Sequence, residues 1–272
     1  MEIILMNNRI KLSIDQNVAY VTLTRVEKMN AIDMAMFIAI DKVIKQLKKN
    51  IYIRAVVLTA EGDHFCSGLD VKSVMSSASN AIRLLFKLQP WQANLAQRVS
   101  TGWRDIPVPV IAIVRGKCWG GGLQIALGAD FVITTPEAEF SIMEGRWGLI
   151  PDMGGTLAFR EKSHLVVVKE LAMTAKIFSG QEAKAYGFAS HVSDNPEVVA
   201  QQLITAIVSQ SPDSVAGCKK LYNRSWWSSP GWALFRESWY QIKIILGKNS
   251  HIKRYNQLNP DKEKSFVERK RW

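Results

Sequence analysis

Cysteine is scarce in this chain and forms no framework: Cys66, Cys118 and Cys218 are odd in number and far apart. A disulfide-stapled fold and a thiolate zinc site are excluded, and a reducing cytoplasm is the expected compartment. Histidine is nearly as rare. His64, His164, His191 and His251 are scattered and no G-x-S-x-G elbow accompanies them, so neither a Ser–His hydrolase nor a metal site is expected. The chain has no uninterrupted apolar stretch of the ~18 residues that would cross a bilayer. Its start, "MEIILMNNRIKLSIDQ", lacks the basic region and long apolar run of a secretory leader. The glycine spacings that cradle nucleotides, G-x-G-x-x-G and GxxxxGK[ST], are missing as well.

What is present is a sizeable core and a surplus of positive charge. With 272 residues, 47% of them hydrophobic, the chain can form one large domain or a domain with a helical appendage. The formal charge of +11 is concentrated partly in the C-terminal stretches "KNSHIKRY" and "ERKRW". Such an excess suits nucleic acid, an anionic membrane or a phosphorylated small ligand. Neither zinc-finger spacing nor an RNA-binding aromatic signature goes with it, so nucleic acid is an unlikely partner and no membrane association is expected.

Periodicity orders the elements. Residues 2–24 read as a strand hairpin, and 30–50 as a helix capped by Asn30, with Met34, Ile38, Val43 and Leu47 near one face. The runs 53–60 and 108–116 are continuously apolar, as strands buried on both faces are. Residues 71–105 are helical but poorly patterned and interrupted at Pro90, and 140–161 is loop-rich. Helices follow at 163–175 and from 195 to 247, with a helix running into a strand between them. Strand–strand–helix units recur through the first 200 residues, so an α/β fold with a helical C-terminal part is expected.

Two turns share one form, a buried strand, a polar or glycine-rich corner and a helix: "FCSGLD" (65–70) and "WGGGLQ" (119–124). Backbone N–H groups at a helix start lack internal partners and lie at the positive end of the helix dipole, so two such ends meeting would form an oxyanion hole. The stretch "FSIMEGRWGLIPDMGGT" (140–156) then holds Glu144 and Asp152, eight residues apart. Glycine and proline between them let both fold towards one pocket, where apolar surroundings raise carboxyl pKa values into the useful range. Asp152 also stands where it could cap a following helix.

Together these stretches resemble the crotonase superfamily, the enoyl-CoA hydratase/isomerase family. "VTLTRVEKMNAIDMAM" resembles its first strand and N-A segment, with Arg25-Val26 in place of the common proline. "HFCSGLD" is similar to the F-x-[AS]-G-x-D loop, and "GKCWGGGLQIALGADFVI" to the G-G-G core motif. The block containing Glu144 matches with Met143 for proline, "FSGQEAKAYGFASHV" resembles the A-x-E-A-x-x-x-G-L segment, and "FVERKRW" the C-terminal tail.

The resemblance implies a crotonase-type spiral of ββα repeats over 1–200 and a helical trimerisation region over 201–272, assembling as a homotrimer or a dimer of trimers. It implies an acyl-CoA thioester as ligand and no separate cofactor, coenzyme A being part of the substrate. The thioester carbonyl would be held by the N–H groups of Leu69 and Gly121. Ser67, Gly68, Gly120, Gln124 and Trp147 would surround the substrate, and Arg25, Lys28, Ala31 and Cys66 would flank the coenzyme A portion. Family hydratases carry two glutamates; here the second is Glu144 and the first is replaced by Gln124, an amide that cannot exchange a proton at neutral pH. The expected activity is therefore proton transfer by Glu144, with Asp152 as partner, leaning to double-bond isomerisation. Hydration of a 2-enoyl-CoA, and a non-catalytic CoA-thioester- or RNA-binding role, are the alternatives.

Overall fold

The computed structural model describes residues 2–271, which leaves Trp272, the last residue of the tail motif, outside the described residues. In chain order, strands β1 (Glu2–Met6), β2 (Ile10–Asp15) and β3 (Val18–Leu23) lead to helix α1 (Met34–Lys49) and β4 (Ala55–Ala60). Helices α2 (Val71–Met75), α3 (Ala78–Leu85) and α4 (Leu95–Asp105) precede β5 (Val110–Val114), β6 (Lys117–Trp119), α5 (Gly121–Leu127), β7 (Phe131–Thr134) and β8 (Glu139–Ser141). The chain continues through α6 (Gly155–Lys162), α7 (Leu165–Thr174), β9 (Phe178–Ser179), α8 (Gly180–Ala185) and β10 (His191–Val192). Four helices close it: α9 (Pro196–Val208), α10 (Pro212–Ser225), α11 (Pro230–Ile245) and α12 (Lys248–Leu258).

A seven-stranded sheet runs β1-β2-β3-β4-β5-β7-β10, antiparallel up to β3 and parallel beyond it. Its central strands are continuously apolar because both faces are covered. In β4, Val56 and Leu58 enter the main core with α1, α4 and α5, while Ala55 and Val57 point to the other side, under Ala200 and Ile204 of α9. A smaller sheet, β6-β8-β9, stands beside it. The chain steps from β5 to β6 through Gly116, at φ +52°, and then enters α5, which is the expected ββα unit.

Three local expectations change. Helix α1 starts at Met34 and is capped by Asp33, whose Oδ1 accepts the Met36 N–H at 2.8 Å. Asn30 is occupied elsewhere, since it accepts from the Arg25 N–H and donates to the Glu61 and His64 carbonyls, tying two turns together. The buried face of α1 is Phe37, Ile40, Val43, Ile44 and Leu47, with Met34 and Ile38 half-buried. The stretch 140–161 contains β8 and α6 rather than loop alone.

The C-terminal helices are fastened back to the core. Asp213 in α10 accepts from Asn249 Nδ2 at 3.0 Å and from the Lys270 N–H at 2.7 Å, and Arg269 reaches the Asn50 carbonyl at 2.9 Å. Among the described residues no helix is long and apolar enough to cross a membrane.

Candidate active site

The two strand–glycine–helix turns lie side by side. Cys66 and Cys118 form a parallel bridge: the Cys66 N–H donates to the Lys117 carbonyl and the Trp119 N–H to the Cys66 carbonyl. Close packing at this corner explains the consecutive glycines at 120–122 one by one. Gly120 holds φ +49° and ψ −118°, a conformation L residues avoid, and a Cβ there would stand 3.3 Å from Glu144 Oε1. A Cβ on Gly121 would meet Met153 Sδ at 2.8 Å, and one on Gly122 would meet the Cys66 carbonyl oxygen at 2.6 Å.

On the facing turn, the Ile32 N–H donates to the Gly68 carbonyl and the Asp70 N–H to the Ile32 carbonyl, leaving Leu69 bracketed between two used groups. Among the described residues, neither the Leu69 nor the Gly121 N–H donates to a protein acceptor. Both residues line one cavity of about 290 Å³, whose wall also includes Ser67, Gly68, Gly120, Glu144, Trp147 and Asp152. Eight of the residues singled out in the sequence are thus brought together, counting Leu69 and Gly121 with those six.

Glu144 stands on a single 3-10 turn (Met143–Trp147) directly after β8. Burial pushes its carboxyl above the ordinary carboxylate range, its own backbone N–H and then a hydrogen bond from Gln124 pull the other way, and the charge of Asp152 adds to the rise. Asp152 is likewise raised by loss of water around it. It is not a helix cap, because α6 is entered through Gly154 with no side-chain cap. Both carboxyls are therefore set towards proton exchange nearer neutral pH than an exposed acid would be.

The other expected ligand residues lie outside the cavity wall. Gln124 is only 1% exposed and lies beneath Glu144 rather than in the cavity wall. Arg25 is no free cation for a phosphate. Its guanidinium is buried, donating to the Ala31 carbonyl and to Asp70 Oδ2, both at 2.9 Å, with Asp33 Oδ2 3.6 Å from its Nε. It clamps the 25–31 turn onto the 66–70 turn, and the same bond occupies Ala31. Cys66 is fully buried behind the turn, its thiol pushed up to about 12 by burial, with Sγ accepting the Gly68 N–H. Lys28 does stay exposed, outside the cavity wall.

Beside Trp119, the wall has an apolar part that the sequence reading missed: Met29, Val71, Met143, Leu149, Ile150 and Met153. Met143 directly precedes Glu144, so motif adjacency alone was enough to find it. Among the described residues no group of three or more His, Cys, Asp or Glu could hold a metal ion.

The model of the enoyl-CoA hydratase/isomerase family matches residues 13–232. The chain belongs to that family. Within the family it is 30% identical over 198 residues to the carnitinyl-CoA dehydratase of Proteus mirabilis (strain HI4320), covering 72% of this chain and 73% of that one. It is 29% identical over 229 residues to the peroxisomal Delta(3,5)-Delta(2,4)-dienoyl-CoA isomerase of Arabidopsis thaliana, covering 79% and 81%. The solved enoyl-CoA hydratase of Mycobacterium smegmatis has the same fold, with a TM-score of 0.85 over 94% of this chain and 98% of that one at 22% identity. The chain is accordingly an acyl-CoA enzyme of the hydratase/isomerase family.

Proposed function

We propose that the enzyme shifts the double bond of an enoyl-CoA, with Glu144 carrying the proton and the Leu69 and Gly121 N–H groups holding the thioester oxygen. The observation that carries this reading is the pair Gln124–Glu144: of the two positions that family hydratases fill with acids, only one can exchange a proton. Isomerisation needs one such group. For a 3-enoyl thioester, the Glu144 carboxylate takes a proton from C2, and the electron pair moves onto the thioester oxygen as a dienolate. The two N–H groups stabilise that oxygen as it gains charge. The carboxylic acid then returns the proton to C4, the C3=C4 bond becomes C2=C3, and the enzyme is unchanged.

The apolar wall of Val71, Trp119, Leu149, Ile150 and Met153 suits the acyl portion and keeps water from the dienolate. Exposed Lys28, at the outer turn, suits the phosphates of the coenzyme A portion. A homotrimer or dimer of trimers belongs to the same reading, supported by the exposed apolar face of Trp232, Phe235, Trp239 and Ile242 on α11. Sedimentation of the purified chain reads that assembly directly.

Hydration or dehydration is the second reading. It is favoured by Asp152, a second carboxyl in the same wall with a raised pKa, and by the dehydratase relative. Paired assays separate the two: the enzyme is offered 2-enoyl- and 3-enoyl-CoA esters of matched length. Conversion of the 3-enoyl ester without water uptake supports isomerisation. Water addition to the 2-enoyl ester, abolished by Asp152→Asn, supports the second reading instead.

A further inference from the structure

We propose that Gln124 is a positioning residue, which fastens Glu144 by one oxygen and so decides that the other, Oε2, carries the proton. This rests on the reading of Glu144 as the acid/base and deepens it, assigning the moving proton to one atom and giving the buried glutamine a task.

The direction of the Gln124 amide is set by its two partners. Gly155 is the first residue of α6, and its N–H has no partner within the helix. It donates to Gln124 Oε1 at 2.9 Å. An amide turned the other way would face that N–H with its own NH₂, donor against donor, so the orientation is fixed by backbone. The fit is close enough that a Cβ on Gly155 would stand 2.7 Å from Gln124 Oε1. With Oε1 used, Nε2 must face Glu144, and it lies 2.6 Å from Glu144 Oε1.

That donor has two consequences. A proton on Glu144 Oε1 would point at the Gln124 N–H, so the acid form carries its proton on Oε2. Oε2 is buried and has no hydrogen-bond partner among the described residues. The bond also favours the ionised form and pulls the Glu144 pKa down against its burial, keeping the base usable. Asp152, whose charge acts in the opposite direction, is the other titratable group that reaches Glu144. Gln124 lies behind Glu144, outside the cavity wall, so its action passes through Glu144 and not through contact with the ligand.

The test is the titration of Glu144 in the free enzyme, followed by ¹³C NMR of labelled glutamate carboxyls and assigned by the signal missing in Glu144→Gln. Gln124→Met removes the donor, and Gln124→Glu keeps an acceptor for the Gly155 N–H, so the second variant retains the fold if the first does not. Gln124→Met should move the Glu144 midpoint upward by about one pH unit and lower kcat roughly tenfold with KM within twofold. Gln124→Glu should give a carboxyl pair that loses its two protons in two separate steps, the last above the wild-type midpoint. Unchanged midpoints in the variants that fold, or a rise in KM with kcat retained, would overturn the assignment. Because the titration needs no substrate, it stands or falls separately from isomerisation: a shifted midpoint with no 3-enoyl-CoA turnover sinks the reaction assignment alone.

Discussion

Gln124 Nε2 lies 2.6 Å from Glu144 Oε1, and the same amide accepts the Gly155 N–H through its oxygen at 2.9 Å. A residue that looks in sequence like a lost acid is, in the fold, a rigid link between a helix start and the remaining acid. Loss of one carboxylate leaves a site with a single buried glutamate held in one orientation.

Glu144 holds its proton more tightly in the folded protein than an ordinary glutamate, whose value is 4.5, because burial disfavours the charge. The folded state therefore binds more protons there than the unfolded state, and this stabilising contribution is present below the ordinary value and lost as pH rises through the raised one. Glu144→Gln stays neutral throughout and still accepts from Gln124. Its Tm should equal that of the wild type below about pH 4.5 and exceed it at pH 7–8. An equal or lower Tm at pH 8 contradicts the assigned burial.

Of the two glycines inside α5, Gly122 should tolerate a side chain less. Its Cβ would strike a backbone oxygen, Cys66 O, at 2.6 Å, whereas that of Gly121 meets the flexible end of Met153. Gly122→Ala should lower stability by about 1–3 kcal/mol, as overpacking does, and Gly121→Ala by less. Urea unfolding of the two variants orders them.

Arg25 and Lys28 should separate cleanly. Arg25→Met leaves Asp70 without its ion-pair partner, while Asp33 keeps Arg9, and should lower stability by about 1.5–3 kcal/mol. Lys28→Gln should leave Tm unchanged and raise the KM for acyl-CoA, with the difference shrinking as salt is added. A Tm unaffected by Arg25→Met would mean that the clamp between the two turns is not holding them.

Much of this arrangement was legible because its parts are local. The glycines at 120–122, the pairing of Gly68 with Leu69, and the spacing of Glu144 and Asp152 each lie within a few residues and point to one pocket. What was not legible depends on contacts across the fold. Gly155 is 31 residues from Gln124, so the amide's second partner carried no sequence signal. Arg25 reads as a free cation because its partner Asp70 is 45 residues away. The small sheet escaped notice since β6, β8 and β9 have three, three and two residues, too short for a period to show. The cap of α1 moved from Asn30 to Asp33 because Asn30 is held by the neighbouring turn.

If the Leu69 and Gly121 N–H groups bind the thioester oxygen, an S-alkyl-CoA thioether should bind more weakly than the matching saturated thioester. Two hydrogen bonds of about 0.5–1.5 kcal/mol each correspond to roughly a 5- to 150-fold higher Kd. Calorimetry with the two ligands measures it; equal affinity would remove the oxyanion hole from the account.

The most direct measurement is turnover of a 3-enoyl-CoA by Glu144→Gln beside the wild type, with both shown folded by their melting curves. Positioned acid/base groups contribute roughly 10²–10⁴ in rate, so kcat should fall by at least about a hundredfold while KM changes little. Full turnover in Glu144→Gln would contradict the assignment of the proton to Glu144.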